Sequence, residues 1–365
     1  MTEHSFYMDR AIRLAKNGIG FTNPNPLVGA VIVKNGRIIG EGYHARYGDL
    51  HAERNALKNC IESPDGGDLY VTLAPCCHYG KQPSCTDAIL ESGIRRVYIG
   101  SRDPNPLVGR KSVEILRCAG IEVHTDFLRQ ECDVLNPIFF HYITTKMPYV
   151  ILKYAMTADG KIACAGGASQ WVTGEIARAH VQQTRKRVAA VCVGIGTVIA
   201  DNPRLSCRCE NPSQPLRVVL DTHLQLPLDS ILAQTARQNP VQVFTHQPDT
   251  KKQLQLERQD VTVTEVPLEN GSVSLMAVLK QLGQQGIDSV LIEGGAAIHR
   301  AALQAGLWNA LQVYIAPKVF GGDGQSPVGE MGIHSPMEAV QLGKPEVTTI
   351  GEDILLTYRN LKRSV

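Results

Sequence analysis

Net charge is the first thing this sequence lacks. Its 37 Lys and Arg nearly cancel its 35 Asp and Glu, leaving +2, so no broad field draws it to nucleic acid or an anionic membrane. Aromatic residues are scarce at 5%, which leaves few stacking platforms for a reader of single strands. No run reaches the roughly 18 apolar residues of a membrane span. The opening Met1-Thr2-Glu3-His4 has no apolar core of a signal peptide, and the expected compartment is the cytoplasm. No repeat relates the two halves, and no segment is of low complexity. What remains suits a globular protein: 365 residues, 43% hydrophobic and 20% charged, are enough for about two domains with a core each. Ten cysteines in so long a chain point to reduced thiols and metal rather than to disulfides.

The chemistry is densest between His51 and Cys85. His51-Ala52-Glu53 is followed, after a predicted strand at Asp68–Leu73, by Ala74-Pro75-Cys76-Cys77 and then by Cys85. One histidine and two cysteines are three ligands of the kind zinc prefers. A structural zinc site takes four protein ligands, whereas a hydrolytic one leaves a position for water. Zinc lowers the pKa of that water to roughly 7, and a carboxylate outside the ligand set then shuttles its protons. Glu53, two residues from the histidine, suits that task, so the set reads as a zinc deaminase centre. Residues two apart normally face opposite sides of a helix, but in a first turn both side chains can fan around the end towards one site. Cys77 competes for the metal, although Cys76 follows the proline directly. His51 with Glu53 alone is ordinary helix surface; the downstream cysteines make the metal reading.

In chain order, Met8, Ala11, Ile12 and Ala15 repeat at helical spacing. A strand at Val28–Val33 and another at Arg37–Tyr43 flank Asn35-Gly36, a hairpin signal. Strand 68–73, a helix after Cys85, strand 96–100, helix 111–118, strand 121–124 and one helix over 128–142 follow. The alternation predicts a three-layer α/β domain with a mixed sheet. Thr144-Thr145-Lys146-Met147-Pro148 breaks the pattern, dividing the chain into domains 1–146 and 147–365. The second half alternates again, through strands at 149–155, 188–194, 216–221, 241–245, 261–266, 289–293 and 310–316. Helices at 274–282 and 296–305 fall between them, and a closing hairpin is predicted near 348–358.

Three stretches of the second half stand out: Met156–Ile162, Gly194-Ile195-Gly196-Thr197 and Glu293-Gly294-Gly295. Glycines between a strand and a helix let backbone approach a phosphate, whose charge the helix N-terminus favours. Arg185-Lys186-Arg187 reads as a solvated helix face in which only Arg185 has a specific claim, and Cys207 and Cys209 read as surface-loop thiols. Lys153 either meets substrate or packs its stem.

Eight residues separate Cys76 from Cys85, whereas nucleobase deaminases place two there. The inserted Cys77-His78-Tyr79-Gly80-Lys81-Gln82-Pro83-Ser84 resembles the pyrimidine deaminase of riboflavin biosynthesis, although Ala74 and Cys77 stand where family members often carry Glu and Ser. The three stretches of the second half, in this order, resemble the reductase of the same pathway. Nearly the whole chain thus resembles the bifunctional diaminohydroxyphosphoribosylaminopyrimidine deaminase and 5-amino-6-(5-phosphoribosylamino)uracil reductase. The resemblance implies a cytidine-deaminase-like N-terminal domain and a dihydrofolate-reductase-like α/β C-terminal domain. It implies zinc on His51, Cys76 and Cys85, with Glu53 as catalytic proton carrier, and deaminase substrate at Asn23, His44, His78 and Lys81. It implies NADPH at Ala155, Trp171, Thr197, Asp201, Thr222, Gly295, Ala296, Ala297, Ile298, His299, Arg300 and Ala301, read as a glycine loop over 295–301. Ser169, Arg185, Leu205, Arg208 and Glu293 match the ribose-phosphate substrate, where two arginines suit a phosphate monoester. The expected partners are small phosphoribosyl-pyrimidines and a second copy of the chain, as a dimer or tetramer.

Two rivals belong to other classes. A nucleic-acid-editing deaminase with an appended domain needs the basic groove and aromatics that are scarce here. A non-catalytic zinc module needs a fourth protein ligand, for which Cys77 is the candidate, and releases no ammonia.

Overall fold

The computed structural model describes residues 3–78, 83–105, 108 and 111–360. The chain divides into two compact units, Met1–Thr145 and Lys146–Val365. No helix among the described residues is long and apolar enough to cross a membrane.

In the first unit, α1 (Glu3–Ala15) precedes the hairpin of β1 (Gly29–Lys34) and β2 (Arg37–Tyr43). Then come α2 (Ala52–Lys58), β3 (Asp68–Leu73), α3 (Cys85–Glu91), β4 (Arg96–Ser101), α4 (Lys111–Cys118), β5 (Glu122–His124), α5 (Arg129–Asp133) and α6 (Pro137–Thr145). The sheet order is β2-β1-β3-β4-β5. β1 pairs antiparallel with both neighbours, and β3, β4 and β5 run parallel. β1 is buried on both faces: Ala30 and Ile32 join one apolar cluster, Val31 and Val33 the other. Helices therefore cover both sides, which gives the three layers. Gly42 lets α2 lie close on β2, because a Cβ there would stand 2.3 Å from the Ala56 amide nitrogen.

One expectation fails here. The stretch 128–142 is two helices, not one. Pro137, which has no N–H to give, begins α6. Asn136 before it is buried, accepting from the Leu27 amide at 2.8 Å and donating to the Leu27 carbonyl at 2.9 Å.

The second unit runs β6 (Tyr149–Thr157), α7 (Glu175–Arg187), β7 (Ala190–Gly194), α8 (Ile195–Asp201), β8 (Leu216–Leu220), α9 (Ile231–Gln234), β9 (Val241–Thr245) and α10 (Thr250–Glu257). It continues through β10 (Val261–Glu265), β11 (Leu268–Glu269), β12 (Ser272–Val273), α11 (Leu275–Gln284), β13 (Ser289–Gly294), α12 (Ala296–Gln304), β14 (Ala310–Ala316), β15 (Glu346–Ile350) and β16 (Asp353–Arg359). Nine strands form one sheet, ordered β10-β9-β8-β7-β13-β6-β14-β16-β15. Pairing is parallel from β10 to β14 and antiparallel through the closing hairpin. Val150, Leu152, Cys192, Val218, Val290 and Ile292 stack across the central strands, with Leu279, Leu282, Ala302 and Leu303 of α11 and α12 above them. The carboxyl ends of the parallel strands β6, β13 and β7 lie side by side, where open α/β sheets place their ligands.

Candidate active sites of the two units

His51 caps α2 in an extended conformation, Cys85 is the first residue of α3, and Cys76 lies in the loop leaving β3. Cys76 Sγ is 3.5 Å and Cys85 Sγ 3.4 Å from His51 Nδ1. All three ligand atoms lie within 4.8 Å of one another. A tetrahedral ion with bonds of about 2.0–2.3 Å to nitrogen and sulfur fits between atoms so spaced. Cys77 stands outside this set. The supporting contacts are local: Thr86 Oγ1 donates to the Cys76 carbonyl at 2.9 Å, and the Cys85 amide donates to Cys76 Sγ at 3.3 Å. Arg54 donates to the Ser84 carbonyl at 2.8 Å, fastening the end of the insertion to α2. Hydrogen bonds from Cys85 and His51 hold the Cys76 thiol down at about 4, so that this sulfur is a thiolate. Cys85 is pushed well up by the same bond to Cys76 and by burial, and keeps its proton until a cation displaces it.

Glu53 is 3% exposed. Burial raises its carboxyl above the ordinary range, the Cys76 thiolate adds to that, and His51 opposes it. With His51 and Cys76 it lines a cavity of ≈ 300 Å³, whose wall includes Asn25, His44, His78, Asp103 and Asn105. The fan around the helix end is thus present. His44 is buried and held below its ordinary pKa by that burial. Its Nδ1–H donates to the Leu50 carbonyl at 3.1 Å, so Nε2 accepts from Asn25 Nδ2 at 3.2 Å. His78 lines the cavity with a buried Nδ1 that has no partner among the described residues. Asn23 is absent from the lining, where Asn25 stands instead. Lys81 lies outside the described residues. Asp103 and Asn105 went unread in the sequence. They follow β4 as Cys76 follows β3, and burial pushes the Asp103 carboxyl up to about 6. Their signal is position at the carboxyl end of a parallel strand.

In the second unit Arg185 on α7 meets Glu293 on β13 in a bidentate ion pair, Nε and Nη2 donating at 2.6 and 2.8 Å. Its Nη1 donates to the Ser206 carbonyl at 2.9 Å. Burial works to raise the Glu293 carboxyl, but Arg185 and Lys153 hold it below the ordinary range. Burial lowers the Lys153 ammonium, which Glu293 partly restores. Its Nζ lies 5.7 Å from the centroid of the Tyr314 ring. Arg208 is exposed and adds to the field on Glu293.

Gly194 caps α8 and Gly295 caps α12. Gly295 has φ +95°, a conformation side-chain-bearing residues rarely adopt, and a Cβ on Gly294 would stand 3.0 Å from Thr197 Oγ1. Two helix starts at the ends of neighbouring strands, with glycine backbone between them, suit a dinucleotide diphosphate. Ser169 Oγ donates to Asp201 Oδ1 at 3.2 Å, and Arg178 stacks over the exposed Trp171 ring at 4.7 Å. Ala155 lies near the end of β6. The expected loop 295–301 is helical beyond Gly295, since Ala296 to Ala301 form the first turns of α12. Of these, Ile298 and His299 are buried, His299 Nδ1 bonding the Pro327 carbonyl at 3.0 Å, and Arg300 reaches the Glu330 carbonyl at 3.5 Å. Leu205 is buried, and Thr222 Oγ1 accepts from the Val273 amide at 3.2 Å.

Comparison with known proteins agrees with both units. Residues 1–101 match the cytidine and deoxycytidylate deaminase zinc-binding region, and residues 148–356 match the RibD C-terminal domain. The riboflavin biosynthesis protein RibD of Actinobacillus pleuropneumoniae is 52% identical, over 96% of this chain and 94% of that one. The Escherichia coli K12 protein of the same name is 37% identical over 97% and 98%. Among solved structures, RibD of Acinetobacter baumannii superposes with a TM-score of 0.88 at 37% identity, covering 98% of each chain. The diaminohydroxyphosphoribosylaminopyrimidine deaminase/5-amino-6-(5-phosphoribosylamino)uracil reductase of Thermotoga maritima superposes with 0.86 at 39% identity, again covering 98% of each.

Proposed function

This chain belongs to the RibD family of bifunctional riboflavin-biosynthesis deaminase–reductases, and on that premise we propose which of its residues carry each reaction. The first is hydrolytic deamination of 2,5-diamino-6-(5-phosphoribosylamino)pyrimidin-4(3H)-one. The second is NADPH-dependent reduction of the ribosyl group of 5-amino-6-(5-phosphoribosylamino)uracil to ribityl. The placing of Glu53 in one cavity wall with His51 and Cys76 carries the reading.

In the deaminase unit, His51, Cys76 and Cys85 would hold zinc, which would supply Lewis acidity towards water. Glu53 takes the proton of the attacking water and delivers it to the departing amine, a transfer eased by a carboxyl that burial holds above its ordinary range. His44 and Asn25 fix one wall of the cavity, while His78, Asp103 and Asn105 offer polar atoms to the pyrimidine; Lys81 completes the substrate contacts, whereas Asn23 stands outside the lining.

In the reductase unit, NADPH supplies hydride. Gly295 and the start of α12 (Ala296, Ala297, Ile298, His299, Arg300, Ala301) would hold its diphosphate, and Thr197, Asp201, Ala155, Trp171 and Thr222 would contribute further contacts to it. Ser169, Leu205 and Glu293 frame the ribosyl group. The exposed Arg208 meets its phosphate, and Arg185 orients Glu293. Lys153, the buried cation beside Glu293, is positioned to hold or release a proton there. The unit's work is to align nicotinamide and sugar and to exclude water.

A cytoplasmic homo-oligomer, dimer or tetramer, completes the proposal. Its support is the edge of the large sheet, where β15 leaves Val347 64% exposed. The test uses Glu53→Gln in the full chain with the diaminopyrimidine and NADPH. It is expected to keep its zinc, lose ammonia release by about 10²–10⁴-fold, and still oxidise NADPH when given the deaminated intermediate. Near-normal ammonia release would remove Glu53 from the mechanism.

A further inference from the structure

Cys207 and Cys209 flank Arg208 between α8 and β8. The surface-loop reading fails for Cys207, which is 2% exposed, while Cys209 is half-buried and reachable. Their sulfurs are 3.2 Å apart. The backbone around Cys207 is held on three sides. Gln214 Oε1 accepts from its amide at 3.0 Å, and Gln214 Nε2 donates to its carbonyl at 2.9 Å. Gln182 Oε1 accepts from the Arg208 amide at 2.9 Å, and Arg185 holds the Ser206 carbonyl at 2.9 Å. Cys207 Sγ also donates to the Gln182 carbonyl at 3.4 Å. One sulfur is therefore fixed and shielded, and the other is free to approach it from the solvent side.

From this arrangement we infer that Cys207 and Cys209 form a reversible disulfide that lowers the reductase activity of this chain by displacing Arg208. The oxidant is a small-molecule disulfide such as oxidised glutathione. The Cys209 thiolate attacks one of its sulfurs, forming a mixed disulfide and expelling the first small thiol. Cys207 then gives up its proton and attacks Cys209 Sγ, expelling the second. Two protein thiols are oxidised and one small disulfide is reduced to two thiols. Closing from contact to a bond of about 2.05 Å draws residues 207 and 209 together. Arg208 is the one residue inside the ring. The walls that hold Cys207 do not yield, so Cys209 and the Arg208 side chain move. The deaminase unit has no share in this and serves as the internal control.

The inference rests on the placing of Arg208 at the reductase substrate, and the experiment separates the two. Zinc-loaded full-length protein is incubated with oxidised glutathione, mapped by peptide mass spectrometry, and assayed for ammonia release and NADPH oxidation. The expected map shows Cys207 joined to Cys209. The expected KM for the phosphoribosyl intermediate rises about tenfold, the equivalent of one charged hydrogen bond, with ammonia release unchanged and full recovery in dithiothreitol. Cys209→Ala, and separately Cys207→Ser, should match the untreated enzyme and ignore the oxidant. A stable glutathione adduct on Cys209 with no internal bond would overturn the inference, as would an internal bond that leaves the KM unchanged. Equal inhibition of Cys209→Ala would also overturn it by tracing the effect to other thiols. Failure of the untreated Arg208→Ala enzyme to differ from wild type would instead refute the substrate role of Arg208.

Discussion

Cys76, Cys77 and Cys85 are three thiols within ten positions, and their neighbours give them different work. Cys76 is a thiolate through its bonds from Cys85 and His51, whereas burial raises the Cys77 thiol. Serine in place of Cys76 or Cys85 is expected to abolish zinc in the purified protein, while Cys77→Ser keeps one equivalent by metal analysis. A zinc-free Cys77→Ser protein would reassign the ligands. Arg185 and Arg208 also separate. Removing Arg185 strips the buried Glu293 carboxylate of its bidentate partner and leaves it only the fields of Lys153 and Arg208, a loss of roughly 3–5 kcal/mol for a broken buried pair, so Arg185→Ala should melt well below wild type. Arg208 is exposed, and Arg208→Ala should stay within about 0.5 kcal/mol of wild type in stability. It should nonetheless weaken the phosphoribosyl intermediate by about 1.5–3 kcal/mol. Equal melting points for the two variants would show that the ion pair contributes nothing.

At the level of elements, the turn from β13 into α12 depends on Gly295 at φ +95°. Its Cβ would meet Ile298 at 3.5 Å and the Gly194 amide nitrogen at 3.9 Å, ordinary contact distances, so space permits alanine and backbone strain does not. Gly295→Ala is expected to cost about 1–3 kcal/mol at that residue and to weaken NADPH binding, read by fluorescence titration, while ammonia release stays at the wild-type rate. Unchanged NADPH affinity would detach this turn from the cofactor. Such turns were legible because glycine between an apolar run and a helix is a local signal. The metal triad was legible for the same reason, its ligands lying at the starts of two helices and in one loop. The helix break at Asn136-Pro137 was hidden by the apolar residues on both sides. The role of Asn136, a bond to Leu27 far back in the chain, is tertiary. Asp103, Asn105 and Asn25 reach the cavity only when strand ends are brought together, and the pairing of Arg185 with Glu293 spans 108 positions. No local pattern encodes either.

For the whole molecule, each unit has its own sheet and apolar clusters, with the division between Thr145 and Lys146. Units with separate cores can fold alone. A fragment ending at Thr145 is expected to bind zinc and deaminate without NADPH, and one beginning at Lys146 to bind NADPH and reduce without zinc. Soluble, folded fragments that deaminate only when mixed would refute that independence.

The clasp of Asn136 on Leu27 has a further consequence for biosynthesis. Asn136 Nδ2 and Oδ1 hold both polar groups of a residue at the entrance to β1, so the first unit is closed from the residue that precedes its last helix. A ribosome delivers the chain N-terminus first. The deaminase half therefore waits, with Leu27 unclasped, until α6 has cleared the exit tunnel, and it can then close while the reductase half is still being translated. Nascent chains arrested before Asn136 emerges should be cut readily by protease; those arrested a few dozen codons later should resist it.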